Sequence, residues 1–156
     1  MLKVSIAVFF FISIMTLCAC TKTNNGNSST AIWSVGNIQY TATSVKKQGT
    51  SYVGLNGLNS IQVYFVNTPI ANKSYKIADA NKVNNGSLDS NSVGVIITVE
   101  STDQYLTTGT ASDSVTVAIE NGIMTIKVPS TPVQHYALIG PALDLNTASG
   151  VIKINN

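Results

Sequence analysis

The segment 114–128 restricts the fold of this chain more than any other, because apolar and polar residues alternate there on both sides of Asn121-Gly122. A period of two is typical of a strand with one buried face. Asn-Gly favours the two positive φ angles of a type I′ hairpin turn. A two-residue turn places six apolar side chains on one face, in the pairs Ile119–Met124, Val117–Ile126 and Val115–Val128. We therefore predict a β-hairpin over this segment, ended by Pro129.

A second hairpin is predicted near the start of the folded region. Gly36-Asn37 separates two alternating runs and suits a type II′ turn, in which glycine comes first. This register places Trp33 opposite Tyr40 and Val35 opposite Ile38. We expect the Trp33–Tyr40 pair to lie on the core face, where it stabilises the hairpin by about 0.2–1 kcal/mol.

The remaining strands are short and evenly spaced, with no helical periodicity between them. We predict them at 51–55, 61–66, 93–100, 136–139 and 151–154, with weaker candidates at 74–77 and 104–108. The loop at Asn56–Asn59 has either two or four residues, and 78–91 reads as a long polar loop. The chain is therefore predicted to be all-β, with one antiparallel β-sandwich of about 8–10 strands over residues 31–156. A small β-barrel is the alternative.

The first twenty residues read as a targeting signal. Lys3 precedes an uncharged, mostly apolar run at 4–17. As a helix this run spans about 21 Å, which is shorter than the roughly 30 Å hydrocarbon core of a bilayer. A signal segment is therefore favoured over a membrane-spanning helix.

This signal ends in Leu17-Cys18-Ala19-Cys20, which resembles the lipobox of bacterial lipoproteins. The resemblance implies a signal peptide at 1–19 and a lipid anchor on Cys20, the acylated first residue of the mature chain. Cys18 is the poorer acceptor, because bulky Leu17 would then stand at the cleavage point. Residues 20–30 form the lipidated cysteine and a polar tether, which as a flexible linker reaches about 17 Å.

The complete layout resembles the small, uncharacterised lipoproteins of Bacteroidetes-type bacteria, which carry no agreed activity. The resemblance implies a cell-envelope location. In the sorting pattern of proteobacterial lipoproteins, Asp after the acylated cysteine retains the protein in the inner membrane, so Thr21 implies the outer membrane. Bacteroidetes-type lipoproteins that reach the cell surface carry an acidic stretch after the cysteine, so the absence of acids at 21–25 favours the periplasmic leaflet. Fimbrillins of the same bacteria are a more distant comparison, since their maturation uses basic cleavage sites, typically Arg, and this chain has no Arg.

Little in the sequence indicates catalysis. His135 is the only histidine, and we expect it at the surface or at a strand end. No nucleophile motif accompanies it. Turns and strand ends account for all seven carboxylates: Asp79, Asp89, Glu100, Asp103, Asp113, Glu120 and Asp144. The polar loop at 79–89 departs from the calcium-loop pattern. We expect no catalytic residue, no metal site, no cofactor and no enzyme activity.

The expected partners follow from composition. Charged residues are only 10% of the chain and the net charge is +2, so nucleic acid is not expected as a partner. The membrane is a partner through the lipid on Cys20, and a glycan or another envelope protein is a further candidate. We predict a non-enzymatic binding or structural domain, with a carbohydrate-binding module as the alternative and a fimbrillin-like subunit or hydrolase third. Asp113-Ser114-Val115 also resembles a bacterial O-glycosylation acceptor, which makes Ser114 a candidate modification site.

Overall fold

The computed structural model describes residues 29–110, 112–137 and 144–155. The predicted signal at 1–19, the lipobox residues Leu17, Cys18, Ala19 and Cys20, and most of the tether lie outside the described residues. The described part contains one short helix, α1 (Asn81–Asn84), and these strands: β1 (Thr30–Val35), β2 (Ile38–Thr41), β3 (Ser44–Gln48), β4 (Ser51–Asn56), β5 (Asn59–Phe65), β6 (Lys73–Ile77), β7 (Ser92–Val99), β8 (Asp103–Thr107), β9 (Ser114–Glu120), β10 (Ile123–Ala137) and β11 (Leu145–Asn155).

The hairpin of β9 and β10 forms in the predicted register. Asn121 and Gly122 have φ angles of 51° and 75°, as a type I′ turn requires. Ile119 pairs with Met124 and Val117 with Ile126. The predicted Val115–Val128 pair is wrong, because the β9–β10 ladder ends at the Lys127–Thr116 pair; β6 pairs with the other edge of β9. Both valines are nevertheless buried, as the alternation requires.

Pro129 does not end its strand, contrary to the prediction. β10 continues to Ala137, and its pairing with β11 shifts register between Val128 and Thr131. The extra residue of a β-bulge does not donate a backbone hydrogen bond to the neighbouring strand. Proline, which has no backbone N–H, therefore fits there without loss of a hydrogen bond. Beyond the bulge, β8 takes the place of β9 beside β10. The strand predicted at 136–139 is the end of β10, and its residues 138 and 139 lie outside the described residues.

Strand pairing also defines the register of the first hairpin and the length of the loop at Asn56–Asn59. Trp33 lies opposite Tyr40 and Val35 opposite Ile38, which confirms the predicted register. Asn56 pairs with Asn59, so the β4–β5 loop has two residues. The prediction missed β3, and α1 lies within the segment that was predicted to be a loop.

The all-β class is confirmed, but the strands form one mixed sheet of 11 strands in the order β2-β1-β11-β10-β9-β6-β7-β5-β4-β3, with β8 between β7 and β10. The purely antiparallel arrangement was wrong, since β6 and β7 are parallel. The two ends of this order, β2 and β3, are joined along the chain by Ala42 and Thr43 alone, so the sheet doubles back on itself.

The two halves of the folded sheet pack face to face, as in a sandwich. A Cβ atom on Gly54 of β4 would lie 2.6 Å from the Cβ of Ala31 in β1. One on Gly150 of β11 would lie 2.7 Å from Ile61 of β5. Glycine at both positions allows this close approach. The core between the halves includes Trp33, Tyr52, Ile61, Ile77, Ile97, Met124, Ile126 and Ile152. Each of the isoleucine and methionine side chains contributes roughly 1.5–3 kcal/mol by burial.

Candidate functional site

His135 is the third residue from the end of β10 (Ile123–Ala137), close to the predicted strand-end position. It lies opposite Tyr105 of β8, and its side chain is 20% exposed. Its Nε2 atom lies 2.7 Å from Oδ1 of Asp103, the first residue of β8. The imidazole also stacks on the Tyr105 ring, with centroids 4.6 Å apart and planes 10° apart. The cross-strand pairing of β8 and β10 thus builds a small polar cluster of these three side chains.

The electrostatics of this cluster favour a charged Asp103 and a neutral Tyr105. Hydrogen bonds from His135 and from Thr102, whose Oγ1 lies 3.0 Å from Oδ2, hold the pKa of Asp103 below its usual range. Burial, followed by the nearby Asp103 carboxylate, raises the pKa of Tyr105. Asp103 therefore departs from the predicted turn role, because its carboxylate binds a side chain on another strand.

Among the described residues, no hydroxyl side chain completes this cluster in the way that nucleophilic catalysis by a serine would require. A serine hydrolase needs a hydroxyl on the imidazole nitrogen that does not face the acid. Within the described residues, the His135 side chain has one hydrogen-bond partner, which is Asp103. The geometry is that of a histidine held by an acid and an aromatic ring, which suits strand pairing between β8 and β10.

Two of the other carboxylates confirm the predicted turn role. Asp79 accepts a hydrogen bond from the backbone N–H of Asn81 at 2.9 Å, and Asp89 accepts one from Asn91 at 2.7 Å. These are Asx turns, which the polar segment between β6 and β7 uses on either side of α1. In the described part of the chain, no three His, Cys, Asp or Glu side chains are grouped so that they could hold a metal ion.

Several large aromatic side chains serve the core. Trp33 is 1% exposed and stacks on Tyr40 at 5.5 Å. Tyr52, Phe65 and Tyr75 are buried in a chain of edge-to-face contacts. These rings are therefore not available for stacking on a sugar at the surface.

A concave surface of the described residues lies on the outside of the sheet. It is a groove of about 550 Å³ that crosses β2, β1, β11 and β10, and we call it the outer groove. Its walls combine hydroxyl and amide groups, apolar side chains and two ammonium groups. The residues that line it are Ile32, Trp33, Ser34, Gln39, Lys127, Val128, Pro129, Ser130, Ser149, Gly150, Val151 and Lys153.

Strand pairing orders these side chains into zones. Gln39, Ser34 and Ser149 form one cross-strand row, and the two serine hydroxyls lie 2.9 Å apart. Ile32 and Val151 are paired in the next row, and Ile32 is 45% exposed. The neutral polar zone therefore adjoins an apolar zone.

The two lysines form the third zone. Lys127 pairs with Val151, while Lys153 pairs with Thr125 two residues earlier in β10. The lysines are therefore diagonal neighbours on the same face, about 7–8 Å apart at the backbone. The only side-chain ion pair among the described residues is that of His135 and Asp103, so neither lysine is neutralised by a carboxylate there.

Ser114 remains a predicted modification site. It is the first residue of β9, half-buried and paired with Lys76 of β6, while Asp113 before it is exposed. Sequence reasoning did not identify the outer groove, although the alternation in the last strand already separates Val151 and Lys153 from the buried Ile152 and Ile154.

The comparisons do not assign this chain to a family: no protein-family model, no curated protein and no solved structure matches it. No helix within the described ranges has the length and apolar character needed to cross a bilayer.

Proposed function

We propose that the chain is a lipid-anchored lipoprotein of the bacterial envelope whose β domain binds another envelope component through the outer groove, without catalysing a reaction. The observation that carries the binding role is the groove itself, a concave surface of about 550 Å³ with hydrogen-bonding, apolar and cationic zones side by side. Its lining includes neither a carboxylate nor the histidine, so it offers binding groups without an acid–base pair.

The proposed anchor fits the position of the groove. The tether after Cys20 enters β1 at Thr30, which pairs with Lys153 at one end of the groove. The hydroxyl of Ser29 accepts a hydrogen bond from the backbone N–H of Asn155 in the neighbouring strand β11. A tether of about 17 Å keeps this end of the domain near the bilayer, which on this proposal is the periplasmic leaflet of the outer membrane.

The binding role is tested by filling the groove. Ser149→Leu adds an apolar side chain beside Ser34 at the polar zone, while the matched Ser44→Leu makes the same change on exposed β3, outside the groove. Both substitutions are made in the Cys20→Ser chain, so that a lipid anchor cannot attach the protein to the envelope membranes. We expect washed bacterial envelopes to retain the Cys20→Ser chain and its Ser44→Leu variant, and to retain much less of the Ser149→Leu variant.

Equal retention of the two variants, with unchanged thermal midpoints, would contradict binding through the groove. Absence of retention for all three chains would contradict the binding role itself.

A further inference from the structure

We infer that the ligand of the outer groove is an acidic polysaccharide, with its carboxylate or phosphate groups on Lys127 and Lys153. This inference rests on the proposed binding role and names the chemical class of the ligand. The first support is electrostatic. Two ammonium groups on diagonal strand positions repel each other, and no carboxylate among the described residues forms an ion pair with either. An anionic ligand would replace this repulsion by two charge-assisted hydrogen bonds.

The apolar zone beside the lysines provides the second support. Ile32 and Val151 are directly opposite each other on β1 and β11, and Lys127 continues the same row on β10. A sugar ring has a face of C–H groups that packs on aliphatic side chains, while its edge carries the polar substituents. A ring lying on Ile32 and Val151 would therefore direct an acidic substituent toward Lys127.

The neutral polar zone is suited to sugar hydroxyls. Ser34 and Ser149 donate and accept hydrogen bonds through their hydroxyls, and Gln39 does so through its amide. This zone lies one row from the apolar pair, so a chain of linked sugars would contact all three zones at once. A single small anion would use only the lysines.

Other anionic partners fit these groups less well. Nucleic acid binding would use exposed aromatic rings for bases and arginine for phosphates, and the one aromatic residue in the groove, Trp33, is 1% exposed. A flat bilayer surface would contact the rims of a concave groove and would not follow the row formed by Gln39, Ser34 and Ser149. An extended polysaccharide occupies the groove along its length.

The test measures binding of polygalacturonate to the full chain in detergent micelles, with neutral dextran as the uncharged comparator. Glycerophosphoglycerol, a soluble phospholipid headgroup, provides the lipid arm. The key variant combines Lys127→Gln and Lys153→Gln. Its matched control combines Lys46→Gln and Lys82→Gln. Both lysines are exposed and lie outside the groove, so the control changes the net charge by the same amount.

We expect polygalacturonate to bind and dextran to bind much more weakly. The groove double variant should lose about tenfold or more in affinity, while its control changes less than about twofold. Raising the salt concentration should weaken binding of the unaltered chain.

Four results would overturn the inference. Equal affinity for dextran and polygalacturonate would show that charge is not recognised. Lysine-dependent binding of the headgroup alone would assign the groove to lipid. Absence of polygalacturonate binding, while Ser149→Leu still reduces envelope retention, would reject the acidic class and leave the groove's binding role standing. Absence of polygalacturonate binding, together with envelope retention that Ser149→Leu does not reduce, would reject the binding role as well.

Discussion

At the scale of single residues, His135 and Asp103 show how neighbours decide the role of a side chain. His135 was predicted to lie at the surface or at a strand end, and Asp103 was predicted to serve in a turn. Pairing of β8 with β10 brings them to 2.7 Å and adds the ring of Tyr105 on one face of the imidazole. The hydrogen bonds that result favour the charged form of Asp103 and lower its pKa.

The lowered pKa of Asp103 predicts how stability depends on pH. A carboxyl group with a lower pKa in the folded state contributes stability above its unfolded pKa of about 3.9, and this contribution is lost as pH falls through the folded value. We expect Asp103→Asn to lower the urea midpoint at pH 6. The difference from the unaltered chain should shrink below about pH 4.

Urea unfolding between pH 6 and pH 2.5 measures this difference. Glu120→Gln removes one carboxylate at an exposed position and controls for net charge. A constant difference between Asp103→Asn and the unaltered chain across the whole range would contradict a stabilising role for the charged Asp103.

At the scale of elements, the two-residue hairpin turns are set by local sequence. Gly36, Gly49 and Gly57 each open a hairpin loop with φ between 55° and 59°. The β9–β10 turn instead uses two positive φ angles, at Asn121 and Gly122. Positive φ angles match the twist of the flanking strands, and glycine and asparagine adopt them at the least steric cost.

Substitution of Gly122 tests the contribution of backbone conformation alone. A Cβ atom there meets nothing within 4 Å, so a change acts through its φ of 75°. We expect Gly122→Val to lower the free energy of unfolding by about 1–3 kcal/mol, because a β-branched residue is strained at positive φ. Gly122→Asn should cost much less, because asparagine tolerates this conformation. Chemical denaturation of both variants measures this, and equal losses would contradict the turn assignment.

At the scale of the whole molecule, the sheet folds back on itself and brings the first and last strands together. β1 lies between β2 and β11, so the point where the tether enters is held by the C-terminal strand. This arrangement fixes which end of the outer groove is closest to the proposed lipid anchor.

The anchor itself is tested by membrane fractionation. We expect Cys20→Ser to move the protein from the membrane fraction to the soluble fraction, because buried acyl chains contribute about 0.8 kcal/mol per CH₂ group. Cys18→Ser is the matched control and should leave the protein with the membrane. Release by Cys18→Ser and retention by Cys20→Ser would reverse the assignment of the acylated residue.

Local patterns were sufficient for features that depend on a few neighbouring residues. Alternation around Asn121-Gly122 and Gly36-Asn37 determined two hairpin registers, since a slip of one residue would expose the buried face. The all-β class followed from the same period of two. The sequence also placed Trp33 opposite Tyr40 and assigned Asp79 and Asp89 to turns, because these contacts span a short stretch of chain.

Only the tertiary structure decided contacts between distant segments. The continuation of β10 past Pro129 depends on a bulge against β11 and on β8 replacing β9, and neither partner is visible in the local sequence. The same holds for the His135–Asp103 pair and for the outer groove, where strands from both ends of the chain adjoin. Alternation tells which side chains share a face of one strand, but strand order determines which strands lie side by side, and that order is set by packing of the whole core.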